Sequence, residues 1–162
     1  MKKRFQNNAF WSFIYERCGT PVKKIYPMVT TMDSVRIRPQ FNAGIMSLRP
    51  KKKLLGTWRD NFEQLYQQPE LTPYYDKHIL YRIFVHQSIL SATILTMLST
   101  GEIQDLGPCI NYPLFLASEP DLARKAVTLR YDEFGFFEKP DWKKKVVLNQ
   151  SLKKWLQTQV QP

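Results

Sequence analysis

Side chains able to do chemistry are few in this chain and widely spaced. There is no Gly-x-Ser-x-Gly, no phosphate-cradling P-loop, no Gly-x-Gly-x-x-Gly, no His-Glu-x-x-His and no Asp-x-Asp pair for a divalent cation. The two histidines, His78 and His86, have no metal-ligand partner at a suitable spacing, which reads them as surface or helix-capping groups and the metal set as none. Cys18 and Cys109 are far apart, without Cys-x-x-Cys or Cys/His company, so free thiols are expected. What remains is amide and cation chemistry. Asn42 is followed by the small residues Ala43 and Gly44; Gln87 follows His86; Asn111, Arg130 and Lys139 come later. An Asn or Gln amide offers donors and an acceptor to a hydroxyl, and small neighbours let a ligand approach the backbone. Arg and Lys supply charge-assisted hydrogen bonds to an anion.

The elements expected to carry these groups follow from apolar spacing. Residues 8–18 read as a short helix ended by Gly19 and Pro21, and residues 24–38 as a hairpin around Met32-Asp33-Ser34. Residues 41–48 (Phe41, Ala43, Ile45, Met46 and Leu48) read as a central buried strand, ended by Arg49-Pro50. In residues 52–68, Leu54, Leu55, Trp58, Phe62, Leu65 and Tyr66 recur at three- and four-residue spacing and predict a helix that faces water through Arg59, Asp60 and Glu63. A second helix is predicted over about 86–99, packing through Leu90, Ile94, Met97 and Leu98, with Gly101 beyond it. Residues 103–106 and 109–116 read as strand or loop edge, 126–131 as a strand, and 148–158 as a terminal helix around Leu152, Trp155 and Leu156. The fold class expected is α/β: a small mixed sheet with helices packed on it, as one domain over residues 1–162.

The most informative stretch is Arg36-Ile37-Arg38-Pro39-Gln40-Phe41-Asn42-Ala43-Gly44-Ile45-Met46-Ser47-Leu48-Arg49-Pro50. It resembles the F-N-[AS]-G-[VI]-x-x-x-[RN]-P strand of glycogenin-type and related GT-A glycosyltransferases. Further family features follow in order. His86-Gln87-Ser88-Ile89-Leu90 stands where the family opens a helix with an acid-Gln pair, and Leu106-Gly107-Pro108-Cys109-Ile110-Asn111-Tyr112 matches an L-P-x-x-[YF]-N loop. Arg130-Tyr131 before Lys139-Pro140-Asp141-Trp142 matches a strand ending in H-[YF] ahead of K-P-W. The resemblance covers roughly residues 8–142. It implies the acceptor-side, C-terminal half of a GT-A fold, with Asn42, Ala43, Gly44, His86, Gln87 and Asn111 around a sugar or acceptor and with Arg130 and Lys139 near a leaving diphosphate. The family's nucleotide-binding half and its metal-binding Asp-x-Asp have no counterpart here, and Asp33 alone cannot replace them. His86 stands in place of the acid and Arg130 in place of a ligand His. The resemblance therefore implies manganese or magnesium for the complete family but no cofactor in this chain, and a truncated protein inactive alone. Each residue also has an ordinary structural use: Asn42 satisfying backbone groups, Gln87 capping, Lys139 solvated.

With a net charge of +10, an anionic partner is the natural alternative: a non-catalytic basic module for nucleic acid, lipid headgroups or an acidic protein. The basic residues fall in short separate clusters and the aromatic ones at core spacing, which argues against nucleic acid. Expected partners are a nucleotide-sugar or glycan acceptor, a second copy, or a separate nucleotide-binding chain. The apolar stretches 79–85 and 89–98 are each shorter than a bilayer span, and the start lacks the apolar run of a signal peptide, so the expectation is a cytoplasmic protein with no transmembrane segment.

Overall fold

A computed structural model describes residues 8–30, 34–114, 120–130, 137–139 and 141–159. These group into two compact units, one of residues 8–30 and 34–103, the other of the described residues from 104 to 159.

In the first unit, α1 (Ala9–Arg17) begins where the Asn8 side chain accepts a 2.8 Å hydrogen bond from the Phe10 amide. It stops at Gly19, whose φ of 66° is the left-handed geometry that glycine adopts at least cost. Phe10 and Ile14, four residues apart, lie on one buried face with Tyr15. The expected hairpin is present but short: β1 (Met28–Val29) pairs antiparallel with β2 (Arg36–Ile37), Met28 opposite Ile37 and Val29 opposite Arg36. Its expected turn at Met32 and Asp33 lies outside the described residues.

The helix expected over 52–68 is α2 (Leu54–Leu65). Leu54 and Leu65 are buried, and Arg59, Asp60 and Glu63 face water as expected. Leu55 and Tyr66, placed by their spacing on the packing face, are exposed. After the short α3 (Thr72–Lys77) comes α4 (Ile79–Met97), which starts seven residues before its expected onset near residue 86. No Pro or Gly interrupts residues 79–85, and His78 caps the helix by accepting 3.1 Å from the Leu80 amide on Nδ1.

α4 is the pillar of this unit, touching α1, α2 and α3. Val85 and Ser88 through Leu95 are all buried. At about 1.5–3 kcal/mol for each fully buried large aliphatic side chain, Ile89, Leu90 and Leu95 are a principal source of this unit's stability. Its buried hydroxyls bond back to their own helix: Ser88 Oγ donates to the Phe84 carbonyl, Ser91 Oγ to Gln87 and Thr93 Oγ1 to Ile89. The outer face of the first two turns is uncovered, with Ile79, Leu80, Ile83 and Phe84 between 57% and 38% exposed. By length and composition the 19 residues of α4 could cross a membrane, because the helix joins two stretches that are each too short; half of its most apolar window is buried inside the protein.

Residues 41–48 do not form the expected central strand. Pro39 and Pro50 bound the segment, Asn42 and Gly44 turn it, and it runs as an irregular loop. Phe41, Ala43, Met46 and Leu48 still pack on Leu54, Leu90 and Ile94, so the apolar content reflects contact with α2 and α4, not sheet pairing.

In the second unit β3 (Tyr112–Pro113) lies parallel to β4 (Leu129–Arg130), with Tyr112 opposite Leu129 and Pro113 opposite Arg130. The short α5 (Pro120–Lys125) and α6 (Trp142–Lys145) and the longer α7 (Gln150–Gln159) complete it. Tyr112, Leu114, Ala123, Ala126, Trp142, Val146, Leu148 and Leu156 form its core. The terminal helix is where its spacing places it, but Trp155, expected at its centre, is 52% exposed while Leu156 is buried. The chain is thus α/β in the coarse sense, with two separate two-stranded sheets among the described residues in place of one mixed sheet.

Candidate functional site

In the first unit the loop at 41–44 is seated directly on α4. The Phe41 amide donates 2.9 Å to Ser91 Oγ, and that hydroxyl donates 2.8 Å to the Gln87 carbonyl one turn earlier. Asn42 is exposed and closes a tight turn, its Oδ1 accepting 2.6 Å from the Gly44 amide. One acceptor is thereby used internally. The Asn42 amide nitrogen makes no hydrogen bond to another described residue and remains a donor toward solvent. Ala43 packs inward beside Phe41, and Gly44 is exposed at the tip.

His86 and Gln87 are half-buried in the middle of α4, which corrects the expectation that they open a helix. The His86 carbonyl accepts 2.9 Å from Trp58 Nε1, tying α2 to the turn of α4 that carries both residues. Sequence reading missed Ser91, the side chain that joins this turn to residue 41. Its hydroxyl, one helical turn after Gln87, is one of several along this helix, and the sequence does not single it out.

In the second unit Asn111 and Arg130 belong to the same small sheet but are not partners, Asn111 lying beside Thr128 and Arg130 opposite Pro113. Asn111 precedes β3 with φ 57°, a left-handed geometry that Asn tolerates better than most residues. Its amide donates 2.7 Å to Thr128 Oγ1, and the Arg130 carbonyl accepts 2.9 Å from the Leu114 amide. Arg130 is half-buried. Lys139 is exposed in the turn before α6, its carbonyl accepting from the Trp142 amide. Tyr131 and Pro140 of the same motif lie outside the described residues. The candidate residues thus form two groups, Asn42, Ala43, Gly44, His86 and Gln87 in the first unit and Asn111, Arg130 and Lys139 in the second.

Among the described residues no group of three or more His, Cys, Asp or Glu could hold a divalent cation, and a guanidinium stands at the position where a ligand His is implied. Elsewhere in the first unit burial raises the Cys18 thiol to about 12, which makes it an inert core group. Burial likewise raises the Tyr15 hydroxyl, and it lowers Arg38, whose Nη2 has no hydrogen-bond partner among the described residues. The described arrangement can therefore offer amide donors to hydroxyls and cations to an anion. Compared with known proteins, the chain matches no family model, no curated protein and no solved structure.

Proposed function

We propose that this chain is a glycosyltransferase-like protein with part of a GT-A fold, related to enzymes that transfer a sugar from a nucleotide donor, and that it is inactive alone. The observation that carries the reading is the relay from the Phe41 amide through Ser91 Oγ to the Gln87 carbonyl. It joins the Phe-Asn-Ala-Gly loop to the His-Gln turn across 50 residues of sequence, as a shared sugar or acceptor pocket requires. The parallel pairing of β3 with β4 brings Asn111 and Arg130 to one small sheet, which supports the diphosphate end of the same reading.

On this reading the Asn42 amide and the Gln87 side chain orient hydroxyls, while Arg130 and Lys139 offset the negative charge of a diphosphate. Turnover is another matter. Each tenfold in rate corresponds to about 1.4 kcal/mol of barrier, and the sequence has no Asp-x-Asp pair to hold the cation that would help the leaving group depart.

Calorimetry or ligand-observed NMR with UDP-, GDP- and TDP-sugars tests the proposal. Weak binding at the diphosphate-sugar end is expected, abolished by Arg130→Ala or Lys139→Ala and unchanged by Lys3→Ala. Manganese-dependent transfer by the purified chain would overturn the claim that it is inactive alone. Binding of none of the sugars, with the protein folded, would overturn the glycosyltransferase reading itself.

A further inference from the structure

Between α2, α3 and α4 the first unit carries an open cleft of about 470 Å³, within the range of small-molecule sites. None of the motif residues lines it. Phe62 and Tyr66, four residues apart at the end of α2, stack with ring centroids 4.8 Å apart and planes within 6°. Tyr75 of α3 also lines the cleft, its hydroxyl donating 2.9 Å to the Tyr66 carbonyl, and the buried Val85 of α4 adds an aliphatic surface. The Gln67 side chain reaches the Tyr66 hydroxyl. Thr72 completes the lining, so the walls are mainly apolar with three aromatic rings, two of them held by hydrogen bonds.

One charged group also lines this space. Arg82, one turn before His86, lies with its guanidinium 5.9 Å from the centre of the Tyr75 ring. Among the described residues no carboxylate pairs with it, whereas Arg17, Arg59 and Arg124 each have one. An arginine held over an aromatic face without an acid partner keeps its planar fork of donors for something else. That fork matches a carboxylate through two parallel hydrogen bonds, and one positive charge balances one negative charge. Rings on the walls favour a flat apolar body through offset or edge-on contacts.

We infer that this cleft is a binding site for a small aromatic carboxylate, with the ring against Phe62, Tyr66 and Tyr75 and the acid on Arg82. The site is independent of the sugar-binding reading and stands or falls separately from it.

The test uses the full chain, isotope-labelled, with backbone amide shifts followed by NMR. The probes are benzoate and indole-3-acetate, the matched amides benzamide and indole-3-acetamide, and acetate. The two aromatic acids should shift the amides of Phe62, Tyr66, Tyr75 and Val85, with dissociation constants on the order of millimolar or tighter. Each amide and acetate should bind at least about tenfold more weakly, because one lacks the charge and the other the ring. Arg82→Gln should bring the acids down to the level of the amides, and Arg82→Lys should recover part of the loss. Arg82 is exposed, so these variants should leave the remaining amide shifts in place and confirm that the fold is intact. Equal binding of acid and amide, undiminished binding by Arg82→Gln, or no shift at the cleft up to on the order of 10 mM acid would overturn the assignment.

Discussion

Replacing Trp58 by Ala should destabilise the first unit by about 2.5–4.5 kcal/mol, and the figure can be worked from its surroundings. The indole is half-buried and packs against two buried clusters, the one around Phe10, Ile14 and Ile89 and the one around Leu54, Leu90 and Ile94. A fully buried tryptophan removes about 150–250 Å² from water, or about 4–6 kcal/mol at 25 cal/mol per Å². Half of that is about 2–3 kcal/mol. The hydrogen bond from Nε1 to the His86 carbonyl adds about 0.5–1.5 kcal/mol. Trp58→Phe keeps much of the ring contact but loses the donor, and should cost about 1–2 kcal/mol. Urea unfolding followed by far-ultraviolet dichroism measures both, since α4 is the longest helix of this unit. A loss below about 1 kcal/mol for Trp58→Ala would refute the reasoning, because the contacts between α2 and α4 would then be carried by other residues.

Further outcomes follow from single groups. Arg38 is only 7% exposed and pairs with no carboxylate among the described residues, so Arg38→Met should be neutral or stabilising by up to about 3 kcal/mol; a clear drop in melting temperature would show that the guanidinium is satisfied. Glu102 is held down to about 2 by the Lys52 ammonium and by hydrogen bonds from the Ser99 amide and hydroxyl. A depressed carboxyl contributes stability that is present above its ordinary value near 4.5 and is lost as pH falls toward 2, so Glu102→Gln should flatten the melting temperature across that window. Identical pH profiles for Glu102→Gln and the parent would remove this contribution. Of the two thiols, Cys109 should react with an aromatic disulfide in the native protein and Cys18 only on unfolding, since Cys18 is buried with its thiol raised to about 12; two equally fast thiols would contradict its burial.

Apolar spacing located α2, α7 and the packing side of α4 because three- and four-residue intervals report an angle around a helix. They do not report which neighbour arrives at that angle, so Leu55, Tyr66 and Trp155, on predicted packing faces, stay exposed. Residues 41–48 show the complementary limit. Alternating apolar side chains are equally compatible with a strand and with a loop lying on a helix, and the Asn42–Gly44 turn decided it. The early start of α4 was legible in the capping histidine and the unbroken run after it, but His86-Gln87 drew the boundary inward by resemblance to a helix opening. Of the candidate site, the residue types came from sequence order and the meeting of Asn111 and Arg130 at one small sheet from the strand pairing. Ser91 and Arg82 became visible only once tertiary neighbours were in place, since a serine in an apolar helix and an arginine among tyrosines each have many ordinary explanations.

The serine beneath Phe41 acts as a directional connector. Its proton is committed to α4, so only its lone pairs face outward, and the loop must supply the donor. Thr93 repeats the arrangement toward α2, donating to Ile89 and accepting 2.9 Å from Asn61 Nδ2. Two neighbours thus read the rotation of one helix through oxygens fixed at known azimuths, and turning α4 by a single residue, about 100°, would withdraw both acceptors together. The Phe41 amide consequently serves as a gauge of helix rotation: its hydrogen exchange should slow or quicken in step with the Asn61 side-chain amide. The Phe-Asn-Ala-Gly loop is in that sense an indicator needle mounted on α4.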